Sequence, residues 1–370
     1  MDIVFDEKGL VSITYRRHSN FHAHLRRGPL MEAIAPHIMR GLKYLLVMPN
    51  TGPIRTIEEA VAYYYELMEI AQKCGYEQLE PIMTLYRTEY ITPDTVERIA
   101  KSSIVRAVKH YPHETNLTTG SGHGTSLLES SYQLDALQEC GVPLLVHCET
   151  GRDSRGQKLH PRRGEAYMIN ETMRRVRDRH PKLRICIEHA STTSAIRFVK
   201  GDTSGNTVMT ITPHHPNFNE NDFGKLGAEL KCKPIVQTRG NQEATLQFMI
   251  SGDSRVIAGD DTAAHLSGTK RVSFEQAANG CFLAEQSAPF YAHAFLKAGA
   301  MDHRFERFMS LNGPRWWGLP EPDMDDTVTI VRSSNDMPPP IEVPKANDVV
   351  IPLGWKPRKK DGIHVGLAMK

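Results

Sequence analysis

The sequence predicts an α/β protein built as a (β/α)8 barrel of the TIM type, and three observations lead to this prediction. Short apolar segments rich in β-branched residues alternate with longer segments of helical period, and eight such units account for most of the 370 residues. The apolar segments are hydrophobic almost throughout, which is typical of parallel strands covered by helices. No GxGxxG motif follows the first strand, which weakens the competing doubly wound sheet with a dinucleotide site.

Turn and capping residues place the elements in order along the chain. The predicted strands are 19–24, 44–48, 81–86, 104–109, 143–147, 183–188, 207–211 and 255–259. The predicted helices include 56–73, 93–101, 127–139, 163–179, 193–199 and 241–251. Thr56 lies three residues before Glu59, as in a capping box, and Thr92 precedes a proline at the first helical position. Gly141 follows the predicted helix 127–139, and glycine is the residue that most commonly ends a helix.

Two segments depart from the alternation of strands and helices. Residues 110–126 form a polar loop rich in glycine and threonine, and a loop of this length usually has a binding or lid function. From about residue 332 the chain is rich in proline and then basic. We therefore expect residues 1–331 to form the barrel and residues 332–370 to be a tail that wraps its surface without a core of its own.

Composition and charge exclude several classes of protein. Lys and Arg total 45 against 43 Asp and Glu, and no basic stripe stands out, so a nucleic-acid partner is disfavoured. The apolar runs are too short for a membrane span, and the acidic N-terminal segment lacks a signal-peptide core. Six cysteines without CxxC spacing predict buried free thiols rather than disulfides or a cysteine-zinc site. These features indicate a cytoplasmic protein with no membrane partner.

Six potential metal ligands fall at or near the predicted ends of five strands. They are His22, His24, Lys109, His147, His189 and Asp261. Each residue alone has an ordinary structural explanation, but the strand ends of a barrel meet at one rim, where active sites are built. Imidazole and carboxylate ligands suit zinc, and this set exceeds the needs of one catalytic ion, so it favours two. A lysine could bridge two ions only after carbamylation by carbon dioxide.

Short segments in order along the chain carry a family resemblance between residues 21 and 320. They are HAHLR, VMPNT, VKHYP with TTGSGHG, LLVHCE, IEHAST, ITPHHPNFN with KCKP, and GDDTAAH. With these segments the chain resembles the amidohydrolase superfamily and, within it, the bacterial-type dihydroorotases.

The resemblance implies a cofactor, two Zn²⁺ ions per chain, and assigns it to particular residues. The residues that would hold the first ion are His22, His24 and Asp261. His147 and His189 would hold the second ion, and N6-carboxylated Lys109 would bridge the two. Asp261 would also be the catalytic residue that transfers the proton.

The resemblance implies a substrate site beside the metal ions. Arg26, Asn50 and His265 would bind the substrate carboxylate, and a planar guanidinium suits that task. Thr118 and Thr119 would close over the substrate from the loop after the fourth strand. The implied reaction is reversible hydrolysis of (S)-dihydroorotate to N-carbamoyl-L-aspartate in de novo pyrimidine (UMP) biosynthesis, carried out by a homodimer.

Two alternatives remain beside this hydrolase of a cyclic amide. A hydantoinase-like or allantoinase-like enzyme would share the metal chemistry, but a neutral ring would not require the set of Arg26, Asn50 and His265. An inactive barrel that serves as a structural partner would be expected to have lost ligands, whereas all six are present.

Four residues near the motifs depart from the family pattern or have no assigned role. Asp260 stands beside Asp261 where the family usually has threonine, and Ala264 stands where it usually has proline. Adjacent residues at a strand end point opposite ways, so only one aspartate can face the metals, and its position relative to His265 favours Asp261. His214 and His215 follow the seventh strand and are interpreted as packing residues.

Overall fold

The computed structural model describes residues 1–115, 117–118, 120–333, 339–353 and 367–370. The strands are β1 (Asp2–Asp6), β2 (Gly9–Arg16), β3 (His18–His24), β4 (Leu42–Val47), β5 (Glu80–Tyr86), β6 (Val105–His110), β7 (Leu144–Val146), β8 (Ile185–Ile187), β9 (Thr207–Ile211), β10 (Val256–Ala258), β11 (Thr262–Ala263), β12 (Thr327–Arg332), β13 (Ile341–Val343), β14 (Asp348–Val350) and β15 (Leu367–Met369).

Helices follow most of the central strands. They are α1 (Gly28–Met39), α2 (Ile57–Lys73), α3 (Pro93–Ala100), α4 (Ser131–Cys140), α5 (Gly164–Met168), α6 (Arg174–Arg179), α7 (Thr193–Gly201), α8 (His214–Asn217), α9 (Phe223–Leu226), α10 (Arg239–Met249), α11 (Ser267–Lys270), α12 (Ser287–Lys297), α13 (His303–Glu306) and α14 (Asn312–Trp317). The capping box of Thr56 and Glu59 and the left-handed Gly141 both form as predicted.

The central sheet is the predicted (β/α)8 barrel. Its strands pair in parallel in the order β10-β9-β8-β7-β6-β5-β4-β3-β11. The short strand β11 follows β10 in the chain and pairs with β3, so the two ends of the sheet meet. One buried cluster takes residues from all eight strands β3 to β10, including Ala107, Leu145, Cys186 and Ile257, and therefore fills the barrel interior.

Element boundaries differ from the predicted ones in three instructive places. The strand predicted to end at residue 147 ends at Val146, and the one predicted over 183–188 covers Ile185–Ile187. In both places the next residue still donates its backbone N–H to the neighbouring strand, His147 N to His110 O and Glu188 N to Val146 O, so the hydrogen bonding continues one residue beyond each strand. Helix α4 begins at Ser131 rather than at residue 127, because residues 127–130 belong to the preceding loop.

A second sheet, which the alternation does not predict, joins segments from opposite parts of the sequence. Its antiparallel order is β1-β2-β12-β15. Ile330 of β12 pairs with Ile13 on one side and with Met369 on the other. Within the predicted tail, β13 and β14 form an antiparallel pair whose Val343 and Val350 are buried in the main core.

Two features of the structure bear on the class of protein, namely the state of its cysteines and the character of its helices. All six cysteines are free, four of them buried and Cys74 and Cys140 partly exposed. Among the described residues, no helix combines the length and the apolar character that a membrane crossing requires.

Candidate active site

The alternation of side chains along the strands brings Lys109 and His147 to the rim of the barrel. Ala107 and Leu145 point into the barrel interior, and the residues two positions further on in the chain are Lys109 and His147. Lys109 is fully buried, and His147 is 2% exposed. The same residues that fill the barrel therefore set the position of two predicted ligands.

Backbone conformations at the rim are unusual at three predicted site residues. Arg26, His189 and Asp261 have φ values of 62°, 41° and 49°, in the left-handed region that side-chain-bearing residues rarely adopt. Such conformations cost free energy and persist where the surroundings enforce them, which is most common at functional sites. At His189 the turn places the ring beside that of His22, with 5.0 Å between centroids.

Three of the predicted ligands converge on one point. Asp261 Oδ1 lies 3.2 Å from His22 Nε2 and 3.0 Å from His24 Nε2, and the two Nε2 atoms are 3.4 Å apart. The backbone holds this arrangement, because Asp261 N donates to His22 O over 3.0 Å. Burial lowers the pKa of His22 to about 3, so its ring is neutral and can offer a lone pair.

A second pair of histidines lies next to this cluster. His147 Nδ1 and His189 Nε2 are 2.8 Å apart, and both rings are buried. The Lys109 amine has no hydrogen-bond partner among the described residues, and Glu188 Oε2 is 3.7 Å away. Burial lowers the pKa of Lys109 to about 7 and also lowers the pKa values of His147 and His189.

The donor set fits divalent metal ions. Neutral imidazole nitrogens that face one another this closely must share a hydrogen or bind a common cation, and the first cluster adds a carboxylate. Although burial raises the pKa of Asp261, its hydrogen bond with His22 keeps that pKa well below its usual range, so the carboxylate is charged. The five ligand groups of the two clusters therefore suit zinc, whereas the unmodified amine of Lys109 does not suit a bridging position.

Three of the four histidines have a polar partner on the ring nitrogen that faces away from the neighbouring ligand groups. His22 Nδ1 contacts Glu188, His24 Nδ1 is 2.7 Å from Asn50 Oδ1, and His147 Nε2 is 3.2 Å from Glu149 Oε2. Such partners fix the tautomer and the orientation of a metal-binding ring. Glu188 and Glu149 are not among the residues predicted from the sequence, although both stand within two residues of a predicted ligand in the motifs IEHAST and LLVHCE.

The pocket above the histidines is lined by residues from several loops, among them Arg26, Asn50, Thr118, Lys233 and Asn279. Arg26 is 9% exposed, and its Nε donates to Ala264 O over 3.0 Å. His265 lies behind this lining, where its Nε2 donates to Asn279 O over 2.8 Å and is 3.2 Å from the Arg26 guanidinium.

The loop after β6 covers one side of the pocket. Thr118 is among the lining residues, while Thr119 lies outside the described residues. Gly120 has φ 77°, and a Cβ there would come within 2.9 Å of Asn50 Cβ, so the loop packs directly on Asn50. Tyr86 supports this contact, since its hydroxyl donates to Gly120 O over 2.8 Å.

Asp260 and His215, two further polar residues near the rim, bond to groups outside the two histidine clusters. Asp260 accepts hydrogen bonds from Ser287 Oγ and Thr262 N, and burial raises its pKa to about 6. His214, His215 and Cys232 are close enough to hold an ion, but His215 uses both ring nitrogens, on Thr212 Oγ1 and on Pro234 O. These contacts support the interpretation of His215 as a packing residue.

Curated relatives match nearly the whole chain, although no model of a protein family matches it. The dihydroorotase of Halorhodospira halophila is 36% identical over 346 residues, which cover 92% of this chain and 96% of the relative. The dihydroorotase of Cronobacter sakazakii is 34% identical over 347 residues, covering 92% of this chain and 94% of the relative.

Solved structures with the same fold include dihydroorotases and a hydantoinase. Dihydroorotase from Saccharomyces cerevisiae in complex with 5-fluoroorotic acid has a TM-score of 0.85 at 22% identity, covering 97% of this chain and 98% of that one. Dihydroorotase from Campylobacter jejuni has a TM-score of 0.82 at 25% identity, with 97% of each chain covered.

The hydantoinase is more distant. L-hydantoinase from Arthrobacter aurescens has a TM-score of 0.71 at 13% identity, covering 88% of this chain and 78% of that one, and shows the fold alone. Metal dependence is implied by the dihydroorotase and amidohydrolase families, and the two histidine clusters provide groups that can bind the metal. The extent and level of the identity to the curated relatives decide the family: this chain belongs to the dihydroorotases.

Proposed function

We propose that the chain catalyses the reversible hydrolysis of (S)-dihydroorotate to N-carbamoyl-L-aspartate, a step of de novo pyrimidine biosynthesis. The observation that carries this proposal is the convergence of the first histidine cluster, the second histidine pair and Arg26 around one pocket. The curated relatives, whose alignments cover more than nine-tenths of the chain, are named for this activity.

The proposed cofactor is a pair of Zn²⁺ ions. His22, His24 and Asp261 would hold one ion, and His147 and His189 would hold the other. N6-carboxylated Lys109 would bridge the two, which is supported by the burial of its amine without a hydrogen-bond partner among the described residues. When bound, such ions would supply Lewis acidity and would lower the pKa of a bound water molecule.

Asp261 is the proposed proton carrier. Its carboxylate is charged, lies close to the ring nitrogens of His22 and His24, and lines the pocket that the substrate and an attacking water would enter. It would remove the proton from this water and deliver it to the ring nitrogen that leaves, and in ring closure it would act in reverse.

Arg26 is the proposed anchor of the substrate carboxylate. The bond from its Nε to Ala264 O and the contact of its guanidinium with His265 fix the plane of the group beside the pocket. A fixed planar fork can bind a carboxylate with two parallel hydrogen bonds. Asn50, His265, Thr118 and Thr119 would complete this side of the site, Asn50 in addition to its bond with His24.

Three other expectations from the sequence stay predictions. The division into residues 1–331 and a tail over 332–370, the cytoplasmic location and the homodimer are predictions that further work can test. Substrate preference separates the main proposal from a hydantoinase-like activity, because the buried guanidinium of Arg26 favours an anionic ring. An inactive barrel is disfavoured by the presence of all six ligand residues.

An ultraviolet assay of dihydroorotate hydrolysis tests the proposed function. We expect activity that a chelator abolishes and added zinc restores, with close to two zinc ions per chain by metal analysis. Hydantoin serves as the neutral comparison and should be a poor substrate. Hydrolysis of hydantoin without hydrolysis of dihydroorotate would establish the alternative enzyme, and a pure chain without metal or activity would favour the inactive barrel.

A further inference from the structure

Glu149 is a buried carboxylate that contacts both His147 of the second histidine pair and Lys233, two residues that line the substrate pocket. It stands two residues after His147 and is 1% exposed. Its Oε2 lies 3.2 Å from His147 Nε2, and its Oε1 lies 2.8 Å from Lys233 Nζ. Each oxygen therefore has a different partner, and the two partners come from loops after different strands.

The bond to Glu149 determines which nitrogen of His147 can bind a metal. A charged carboxylate only accepts hydrogen bonds, so Nε2 of His147 carries the hydrogen and Nδ1 carries the lone pair. That Nδ1 is the atom 2.8 Å from His189 Nε2. The carboxylate thus selects the tautomer of His147 that directs a lone pair toward His189.

Packing and charge hold Glu149 in this position. A Cβ on Gly164 would lie 3.0 Å from Glu149 Cγ and 2.5 Å from Thr150 O, so the backbone at Gly164 presses on this side chain. Lys233 supplies the opposite charge that a buried carboxylate requires, and its own side chain is 14% exposed. Glu149 therefore has little freedom to rotate away from His147.

We propose that Glu149, held by Lys233, is a positioning residue that fixes His147 as a ligand of the second metal ion. This inference rests on the metal pair of the proposed function but not on the substrate. Glu188 has the equivalent contact with His22 in the first cluster. Loss of Glu149 should therefore weaken the binding of the second ion and leave the first ion bound.

The test is the zinc affinity of the purified full-length chain, measured by competition with a chromophoric chelator and by metal analysis after dialysis. Glu149→Ala should lower the affinity for the second zinc ion by about 10- to 100-fold and leave the affinity for the first unchanged. Glu306→Gln is the matched control, because Glu306 is a buried carboxylate bonded to Arg16 far from the rim, and this variant should retain both ions.

Two conservative variants separate positioning from packing. The amide introduced by Glu149→Gln has one carbonyl oxygen and could not accept hydrogen bonds from both His147 and Lys233 in their present positions, so this variant should also weaken the second zinc. Adding Lys233→Met frees that oxygen for His147 Nε2. The double variant should therefore bind the second zinc more tightly than Glu149→Gln alone, an improvement that a purely structural role would not give.

The outcomes are distinct. Wild-type affinity for both ions in Glu149→Gln overturns the inference even if Glu149→Ala does not fold, and so does a double variant no better than Glu149→Gln. A wild-type chain that holds two zinc ions but does not hydrolyse dihydroorotate overturns the proposed function and leaves the role of Glu149 standing. A wild-type chain that binds no second ion overturns both.

Discussion

The candidate site has a floor, formed by side chains at the ends of the barrel strands, and a rim, formed by the loops around the pocket. The two parts are held in different ways. The floor consists of the six predicted metal ligands, which lie on strands or just beyond them and are at most 7% exposed. They contact one another or buried acids such as Glu188 and Glu149. The rim residues Arg26 and His265 lie on loops and bond mainly to backbone carbonyls. The sheet therefore sets the geometry of the floor, and loop packing sets that of the rim.

This difference separates two kinds of effect that substitutions can have. A change in the floor should remove metal or the chemical step, because its groups are the proposed ligands and the proposed proton carrier. A change at the rim should alter substrate affinity while the metal remains bound.

Replacement of Asp261 should have the largest effect. Asp261→Ala removes a proposed ligand and the proton carrier together, so we expect kcat/KM to fall by about 10³-fold or more. Steady-state hydrolysis of dihydroorotate with parallel zinc analysis measures it. Asp260→Asn is the control, since Asp260 bonds to Ser287 instead of the histidines, and should keep most of the activity. Undiminished turnover in Asp261→Ala would remove this residue from the mechanism.

Replacement of Lys109 should have a large effect that is partly reversible. Lys109→Ala removes the proposed bridging carboxylate from a fully buried position, and we expect a loss of at least about 10²-fold in activity. Acetate or propionate should restore part of it by occupying the space. The same acids added to Asp261→Ala should give no recovery, and failure to rescue Lys109→Ala while zinc stays bound would argue against carboxylation.

Replacement of Arg26 should have the smallest effect of the three and a different character. Arg26→Lys exchanges a planar fork for a point charge, so KM for dihydroorotate should rise by about 10-fold while kcat changes little. Steady-state kinetics give both constants. Arg27→Lys, on an exposed ion pair with Glu66, is the neighbouring control. A fall in kcat with unchanged KM would place Arg26 in the chemical step and blur the distinction between rim and floor.

The sequence predicts the barrel and the position of the proposed metal ligands because both depend on local periodicity. Lys109 and His147 follow apolar interior positions by two residues, and this spacing is visible in the sequence. The partners of these ligands are less visible. Lys233 contacts Glu149 from 84 residues away, and Glu188 contacts His22 across 166 residues, so only folding brings them together.

The second sheet escapes prediction for the same physical reason. Strand β2 lacks a neighbour in its own part of the chain apart from β1, and its other partner is β12, more than 300 residues later. The left-handed turns at His189 and Asp261 are also invisible to pattern, since histidine and aspartate, although enriched in this region among non-glycine residues, adopt it in only a small share of their occurrences. Each turn directs its side chain toward His22, a contact that exists only in the folded barrel.

The pairing of β2 with β12 has a consequence for the synthesis of the chain. Thr327, the partner of Arg16, is made roughly 15–60 s after it at common translation rates. During that interval one edge of β2 has unpaired backbone groups, and β3 likewise waits for β11. Exposed edges of this kind invite pairing with other chains. Expression at high levels should thus expose this protein to aggregation through its first strands, and a chaperone that shields them should raise the yield of folded chain.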